Sequence, residues 1–164
     1  MKSARIEPAT SPHPPEIAAM LERLTPPGTT TLALFRTVAR DPRLWARFTC
    51  GGLLDRGHLT LREREIIIDR TTARCGSAYE WGVHVTIFGA RAGFDAAQIH
   101  AIARQPATAV CWSDEDRLLI ETADALQEQC DLDDALWERL QKRYYDEAIL
   151  EILMLAGYYR MVAT

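Results

Sequence analysis

Between Ser77 and Arg91, residue types that can move protons recur at helical spacing. On a helix that begins near Ser77, one face carries Ser77, Glu80, His84, Ile87 and Arg91. Glu80 and His84 are four residues apart, so the two side chains can form a hydrogen bond or an ion pair. A nearby carboxylate favours the imidazolium form, which predicts that His84 is a proton shuttle near neutral pH.

A second carboxylate, Glu65, lies in the helix that precedes the turn at Gly76. Two helices joined by so short a connection are expected to be antiparallel neighbours. At ~1.5 Å per residue, Glu65 lies ~15 Å before the turn and His84 ~12 Å after it. The sequence therefore predicts that Glu65 and His84 face each other and that Glu65 fixes the tautomer of the imidazole. Glu80, one turn closer to Gly76, then exchanges a proton with a substrate. The alternatives are a solvated Glu65 and a His84 that only packs in the core.

The elements that must position these residues are all helices. Apolar residues at three-to-four spacing, with breaks at proline and glycine, predict helices over residues 15–24, 29–40, 42–55, 61–74, 78–92, 95–104, 114–129, 133–144 and 146–162. No segment alternates polar and apolar residues as a strand does. We therefore predict an all-α fold, with one helical domain over residues 15–164 and a flexible, proline-rich arm over residues 1–14.

Helix starts are marked by polar residues that can cap a helix. Two capping boxes are predicted, one at Thr60 and one at Ser77, each with a glutamate three residues later. The second box is also the simplest structural explanation of Ser77 and Glu80. Asp95 and Ser113 are further candidates for a cap position.

Composition limits the class of protein. The 164 residues are 48% hydrophobic and 26% charged, which is typical of a globular domain rather than a disordered chain. The formal net charge is −4 and there is no run of basic residues, so we expect no nucleic-acid partner. The apolar stretches are too short to span a bilayer, and no apolar segment follows Lys2 and Arg5 as in a secretory signal. These features predict a cytoplasmic protein without a membrane partner.

The four cysteines, at positions 50, 75, 111 and 130, form neither a CxxC pair nor a zinc-ligand pattern. In a cytosolic chain they are expected to be packed thiols rather than disulfides. Glu65, Glu80 and His84 have the donor types of a two-carboxylate, one-histidine metal site, although nothing else in the sequence points to a metal.

The intervals between Glu65, Ser77, Glu80 and His84 resemble the signature of the carboxymuconolactone decarboxylase and alkylhydroperoxidase D superfamily. Its peroxidase members have a glutamate, eleven residues, a cysteine, two residues, a second cysteine, three residues and a histidine, and this chain keeps each interval. Similar segments flank the signature at residues 59–65, 89–94 and 152–161, so the resemblance covers about residues 40–162.

The resemblance implies an alkylhydroperoxidase D-like helical fold that assembles into trimers, dimers or hexamers. It also implies a Glu–His proton relay that acts on a small organic acid or lactone without a metal or other cofactor. In this interpretation, the catalytic residues are Glu65, Glu80 and His84. The residues expected to line the substrate pocket are Ser77, Tyr79, Trp81 and Tyr158.

The chain departs from the peroxidase members at the two cysteine positions, which hold Ser77 and Glu80. A serine cannot be oxidised as a thiol is, and a carboxylate cannot resolve a sulfenic acid. Cys75 is the nearest redox candidate, but it follows the end of a helix, where the dipole disfavours a thiolate. Three functions therefore remain open: a decarboxylase-like enzyme, a thiol antioxidant that uses Cys75, and a non-catalytic oligomeric protein that binds a ligand.

Overall fold

A computed structural model describes residues 6–164 of the chain, and this part is all-helical, without a strand. The helices are α1 Pro15–Leu24, α2 Ala33–Val38, α3 Pro42–Cys50, α4 Leu61–Arg74, α5 Ala78–His84, α6 Ala96–Arg104, α7 Asp114–Gln129, α8 Asp134–Arg143 and α9 Asp146–Val162. A π-helical segment, Val85–Gly89, continues from α5. The predicted all-α class is confirmed.

The chain divides into two compact units, one that ends at Gly52 and one that spans Leu53–Thr164. The first unit contains α1 to α3 and has its own small core of Ile17, Leu21, Ala39 and Trp45. A single domain over residues 15–164 stays a prediction. Residues 1–5 of the predicted arm lie outside the described residues, and in the remainder the Ala9 N–H donates to the carbonyl of Arg36.

Helix bounds follow the predicted breaks most closely in the second unit. Helices α4, α7 and α9 begin and end where the sequence predicts, whereas α2 and α3 are shorter. Helix α3 ends at Cys50 because Gly51 and Gly52 follow, and glycine is a poor helix former. Helix α2 begins only at Ala33, after the β-branched run Thr29–Thr31.

Helix α4 lies at the centre of the second unit, packed against α5, α6, α7 and α9. Ile66, Ile67 and Ile68 are fully buried. Because consecutive side chains point to different sides of a helix, α4 is surrounded by protein on most sides. The polar side chains of α4 are therefore buried as well, and each needs a partner inside the protein. This helix carries Glu65.

Three arginines of α4 bind three acids of α7 in a ladder. The pairs are Arg62–Asp116, Arg70–Asp124 and Arg74–Glu128. Each pair joins residues 54 positions apart, so α4 and α7 run parallel in one register. The first two pairs are bidentate, with N–O distances of 2.7–3.0 Å. The ladder fixes the position of α4 along its axis relative to α7, and with it the axial position of Glu65.

The predicted caps are confirmed at three helix starts and wrong at the fourth. Thr60 and Asp95 form complete capping boxes, and the Ser113 side chain accepts from the Asp116 N–H. Ser77 makes no side-chain cap bond, because its ψ of 81° departs from the extended conformation of a capping residue. The Glu80 side chain is buried instead of reaching back to the Ser77 backbone.

The π-helical segment changes which residues share a face with His84. Glu80 and His84 are buried, but Ile87 is 46% exposed and Arg91 is exposed. The prediction that Ile87 and Arg91 continue the face of Glu80 and His84 is therefore wrong. A wider π-turn rotates the following residues relative to an α-helix, and no local feature of the sequence marked it.

Within residues 6–164, none of the helices is both long and apolar enough to cross a membrane.

Candidate active site

Glu65 and His84 meet in the protein interior. His84 Nδ1 lies 2.9 Å from Glu65 Oε2, and the two residues are 5% and 0% exposed, respectively. Helix α4 carries the carboxylate and α5 the imidazole, on either side of the turn at Gly76, whose φ is +73°. A left-handed residue suits glycine and allows the short reversal between the helices. The predicted contact across this turn is confirmed.

Arg64 holds the other oxygen of Glu65. Its Nε and Nη2 donate to Glu65 Oε1 at 2.9 and 2.8 Å, and its Nη1 donates to the Leu54 carbonyl at 2.9 Å. A bidentate guanidinium stabilises the ionised carboxylate and fixes its plane. Since an ionised carboxylate only accepts, the proton between Glu65 and His84 belongs to Nδ1, and the other ring nitrogen, Nε2, is the atom that can exchange a proton.

Aromatic rings enclose the imidazole. Tyr159 meets His84 edge-to-face at 4.9 Å between ring centroids, and Phe88 lies at 5.5 Å. Tyr158 contacts Tyr159 at 5.3 Å. Burial, followed by the negative charge of Glu80, raises the pKa of Tyr158 to about 12. Burial and the charge of Glu65 raise the pKa of Tyr159 further still, so both phenols keep their protons at neutral pH.

Glu80 is the second carboxylate next to His84. It is 6% exposed, and burial raises its pKa above the ordinary value of a glutamate, while the charge of His84 partly offsets this effect. The hydrogen bond of His84 goes to Glu65, so Glu80 acts on the imidazole through charge and proximity. A glutamate with a raised pKa retains its proton closer to neutral pH and is suited to general acid catalysis.

The residues predicted to line the pocket differ in exposure. Ser77, Trp81 and Tyr158 are half-buried, whereas Tyr79 is 47% exposed. The Trp81 indole N–H is buried and has no hydrogen-bond partner among the described residues. It is a donor that a ligand with a carbonyl or carboxylate oxygen would satisfy. The contribution of these four residues to binding stays a prediction.

Cys75 caps the C-terminal end of α4, half-buried. Its thiol donates to Gln127 Oε1 at 3.6 Å. All four cysteines are free thiols, so Cys75 is in no disulfide. Within residues 6–164, no three side chains of the metal-ligating types come together as a metal site.

Sequence reasoning missed three residues around Glu65. Arg64 lies in a run of charged residues and Tyr159 in an apolar helix, so neither was among the predicted site residues, yet they contact Glu65 and His84, respectively. Asp69 was not predicted as a site residue either, although it is fully buried one turn after Glu65. An acid directly after three isoleucines is the signal that would have identified Asp69, because buried acids are rare.

The sequence is similar to that of a known protein family. The model of the carboxymuconolactone decarboxylase family matches residues 42–124, which include Glu65, Ser77, Glu80 and His84. No curated protein matches the sequence.

Two solved structures are similar over almost the whole chain. One is an uncharacterized peroxidase-related protein from Silicibacter sp. TM1040, with a TM-score of 0.83, 17% sequence identity, and coverage of 99% of this chain and 89% of that chain. The other is an alkylhydroperoxidase AhpD core protein, an uncharacterized peroxidase-related protein from Ralstonia eutropha JMP134, with a TM-score of 0.79, 18% identity, and coverage of 98% and 88%. At these identities the similarity shows the fold, which is alkylhydroperoxidase D-like. Because the family model matches half of the sequence, including the Glu65–His84 segment, the chain belongs to the carboxymuconolactone decarboxylase family.

Proposed function

We propose that the protein is an enzyme that moves a proton at a carbon next to a carbonyl group of a small organic acid or lactone, as a decarboxylase-like member of its family. The observation that carries this proposal is the buried 2.9 Å contact between His84 Nδ1 and Glu65 Oε2. A histidine whose Nδ1 is held by a carboxylate has one tautomer and one orientation, as general acid–base catalysis requires.

Each residue of the relay has a distinct part. Arg64 keeps Glu65 ionised, Glu65 orients His84, and Nε2 of His84 exchanges the proton with the substrate. Glu80 supplies or receives the second proton, because burial raises its pKa above the ordinary value of a glutamate. The Tyr158 phenol can donate a hydrogen bond to the substrate carbonyl.

The pH titration of the His84 ring, followed by NMR, tests the relay without a known substrate. In Glu65→Gln the titration midpoint of His84 should move to lower pH, because the anion that favours the imidazolium is lost. Glu138→Gln, the same chemical change at an exposed residue of α8, is the matched control and should leave the midpoint unchanged. An unchanged midpoint in Glu65→Gln would show that Glu65 and His84 do not form a relay.

Turnover then separates an enzyme from a binding protein. Against a panel of small lactones and 3-oxo acids, Glu65→Gln and His84→Ala should abolish whatever turnover the parent shows, while the far-UV circular dichroism stays helical. Removal of a general acid–base residue typically costs about 10²- to 10⁴-fold in rate. A ligand that binds beside His84 without turnover would favour the non-catalytic alternative.

A thiol peroxidase is the second candidate, because both structural relatives are peroxidase-related proteins. Ser77 and Glu80 occupy the positions of the cysteine pair in the peroxidase signature, which leaves Cys75. We expect no efficient consumption of alkyl hydroperoxide with a dithiol reductant. Peroxide-dependent consumption that disappears in Cys75→Ser would establish the antioxidant function instead.

We also propose that the chain assembles with further copies of itself through α9. One face of this helix exposes Leu150, Met154 and Met161, which are between 54% and 58% exposed, with Gly157 between them. A helix that is apolar on nearly all sides is expected to be covered, and the missing side chain at Gly157 allows a second helix to approach closely. A copy of the same apolar stripe is the self-complementary occupant.

Light scattering on the eluting protein tests the assembly. The parent should have a mass above 18.5 kDa, and Met154→Lys should reduce it, because a charge in an apolar interface is costly. Gln141→Lys, which adds a lysine to the exposed side of α8, is the control. A parent that is monomeric at micromolar concentration would contradict the proposal. We also propose that the protein is located in the cytoplasm.

A further inference from the structure

Asp69 is a buried carboxyl group that the relay leaves unused. It lies four residues after Glu65 on α4, so the two side chains leave the same face of the helix. Its side chain is fully buried, and within residues 6–164 neither of its oxygens has a hydrogen-bond partner. The neighbouring Arg70 gives its guanidinium to Asp124 and to the carbonyls of Ile102 and Gln105.

Such an environment favours the neutral acid. A buried carboxylate without a hydrogen bond or counter-charge is costly, whereas the protonated group carries no net charge. Burial, and in second place the charge of Glu65, raises the pKa of Asp69 to about 8. At neutral pH Glu65 is therefore the ionised member of this pair of acids, held by Arg64 and His84.

We propose that Asp69 is a positioning residue of the proton relay. As a neutral acid, Asp69 leaves Glu65 as the one carboxylate of the pair that balances the charge of His84. As an anion, Asp69 makes the Glu65–His84 pair hold its proton more tightly. A second negative charge one turn from Glu65 raises the free energy needed to remove a proton from His84. Above the pH at which Asp69 ionises, His84 becomes a poorer acid. This inference rests on the proposed relay, because it assigns Asp69 a part in the same proton transfer.

Glu65 is the charged group placed to interact electrostatically with Asp69. The other charged groups on the helices packed around α4 are exposed or already have partners. On α5 these groups are Glu80 and His84, and on α6 they are the exposed His100 and Arg104. On α7, Asp116 and Asp124 are bound by the arginine ladder. On α9, Tyr159 is a neutral phenol, and Glu151 accepts from the His58 N–H. Among all of these, the charge that raises the pKa of Asp69 is that of Glu65.

NMR on the full chain tests the inference in two independent ways. First, with ¹³C-labelled aspartate, one side-chain carboxyl signal of the parent should titrate near pH 8 and be missing in Asp69→Asn. Second, the His84 ring signals should show a second inflection near the same pH in the parent, and a single step in Asp69→Asn. Asp134→Asn, at an exposed residue of α8, is the control and should keep both inflections.

Either of two results would overturn the inference. One is a parent in which every aspartate carboxyl titrates in its ordinary range, a measurement that needs no variant. The other is a His84 titration that is identical in the parent and in Asp69→Asn. If Asp69→Asn does not fold, Asp69→Ser provides a smaller neutral side chain for the same comparison.

The Glu65→Gln titration separates this inference from the relay. If Glu65→Gln shifts the midpoint of His84 but Asp69→Asn does not change its curve, the relay stands and the role of Asp69 fails. If Glu65→Gln has no effect, the relay itself fails.

Discussion

Helix α4 carries buried ionisable side chains of two kinds, paired and unpaired. On the side that faces α7, the Arg70 guanidinium donates two hydrogen bonds of 2.7 Å to the Asp124 carboxylate. It also donates to the backbone carbonyls of Ile102 and Gln105. One residue earlier, Asp69 has no partner within the described part of the chain. A buried ion pair such as Arg70–Asp124 fixes one helix against another. A buried acid without a partner makes no such contact and lowers the stability of the fold. The arginine ladder therefore serves structure, whereas Asp69 is an unpaired acid next to the site and carries a cost in stability.

Removal of the acid that pairs with the buried Arg70 should strongly destabilise the protein. Asp124→Ala leaves the Arg70 guanidinium, which is 4% exposed, without its counter-charge. We expect the free energy of unfolding to fall by ~4 kcal/mol, because an unpaired buried charge remains. Urea denaturation measures this change.

The matched control lies on the same ladder. Glu128→Ala removes an acid that is 54% exposed, whose pair with Arg74 lies at the surface, and should cost less than ~1 kcal/mol. Equal losses in Asp124→Ala and Glu128→Ala would show that burial does not distinguish the two pairs.

A smaller effect, of opposite sign, is expected from Asp69→Asn. The pKa of Asp69 is about 8 in the folded state against 3.8 as its reference value, so between these values the folded chain holds a proton that the unfolded chain has lost. The stability contributed by this proton is complete below the lower value and is lost as the pH rises through the higher one. At pH 8 Asp69→Asn should therefore be more stable than the parent, and the difference between them should grow as the pH rises from 4 to 8.

Urea denaturation at several pH values makes this measurement. Near pH 4 the folded chain keeps the Asp69 proton and the unfolded chain has lost only about half of it, so the parent and Asp69→Asn should differ by less than ~1 kcal/mol. A constant difference across the whole range would mean that Asp69 is already ionised in the folded protein or that its titration is not linked to folding.

The smallest effect concerns the helix starts, where α4 has a satisfied cap and α5 does not. Thr60→Ala removes a complete capping box and should cost ~1 kcal/mol. Ser77→Ala removes a hydroxyl that makes no cap bond and should cost less than ~0.5 kcal/mol. Thermal unfolding followed by circular dichroism compares the two variants, and a larger loss in Ser77→Ala would reverse the assignment.

Much of this architecture could be predicted because its signals are local. Capping hydroxyls mark the starts of α4 and α7, Gly76 follows the end of α4, and helix rise alone places Glu65 level with His84. The partners of Glu65 depend instead on how helices pack around α4. Arg64 lies in a run of charges that is typical of a solvated surface, and only burial of α4 on all sides turns it inward.

Two failures have a common physical origin. The π-helical segment after His84 and the missing cap at Ser77 both depend on the backbone path through a packed region rather than on residue type. Ser77 has the right side chain for a cap but not the dihedral angles, and Ile87 has the right spacing but follows a wider turn. Spacing predicts a shared face only while the helix keeps its α geometry.

The constant offset of 54 in the ladder has a consequence for misfolding. If α7 slid by one turn, Arg62 would face Ile120 in one direction, or the segment that precedes α7 in the other, in place of Asp116. Arg70 would meet Ile120 in one of these slipped states. Since α4 and α7 are both rich in aliphatic residues, hydrophobic contact alone would tolerate such a slip, whereas guanidinium groups buried against apolar side chains would not. The ladder therefore disfavours near-native arrangements in which α7 is one turn out of register with α4, the helix that carries Glu65.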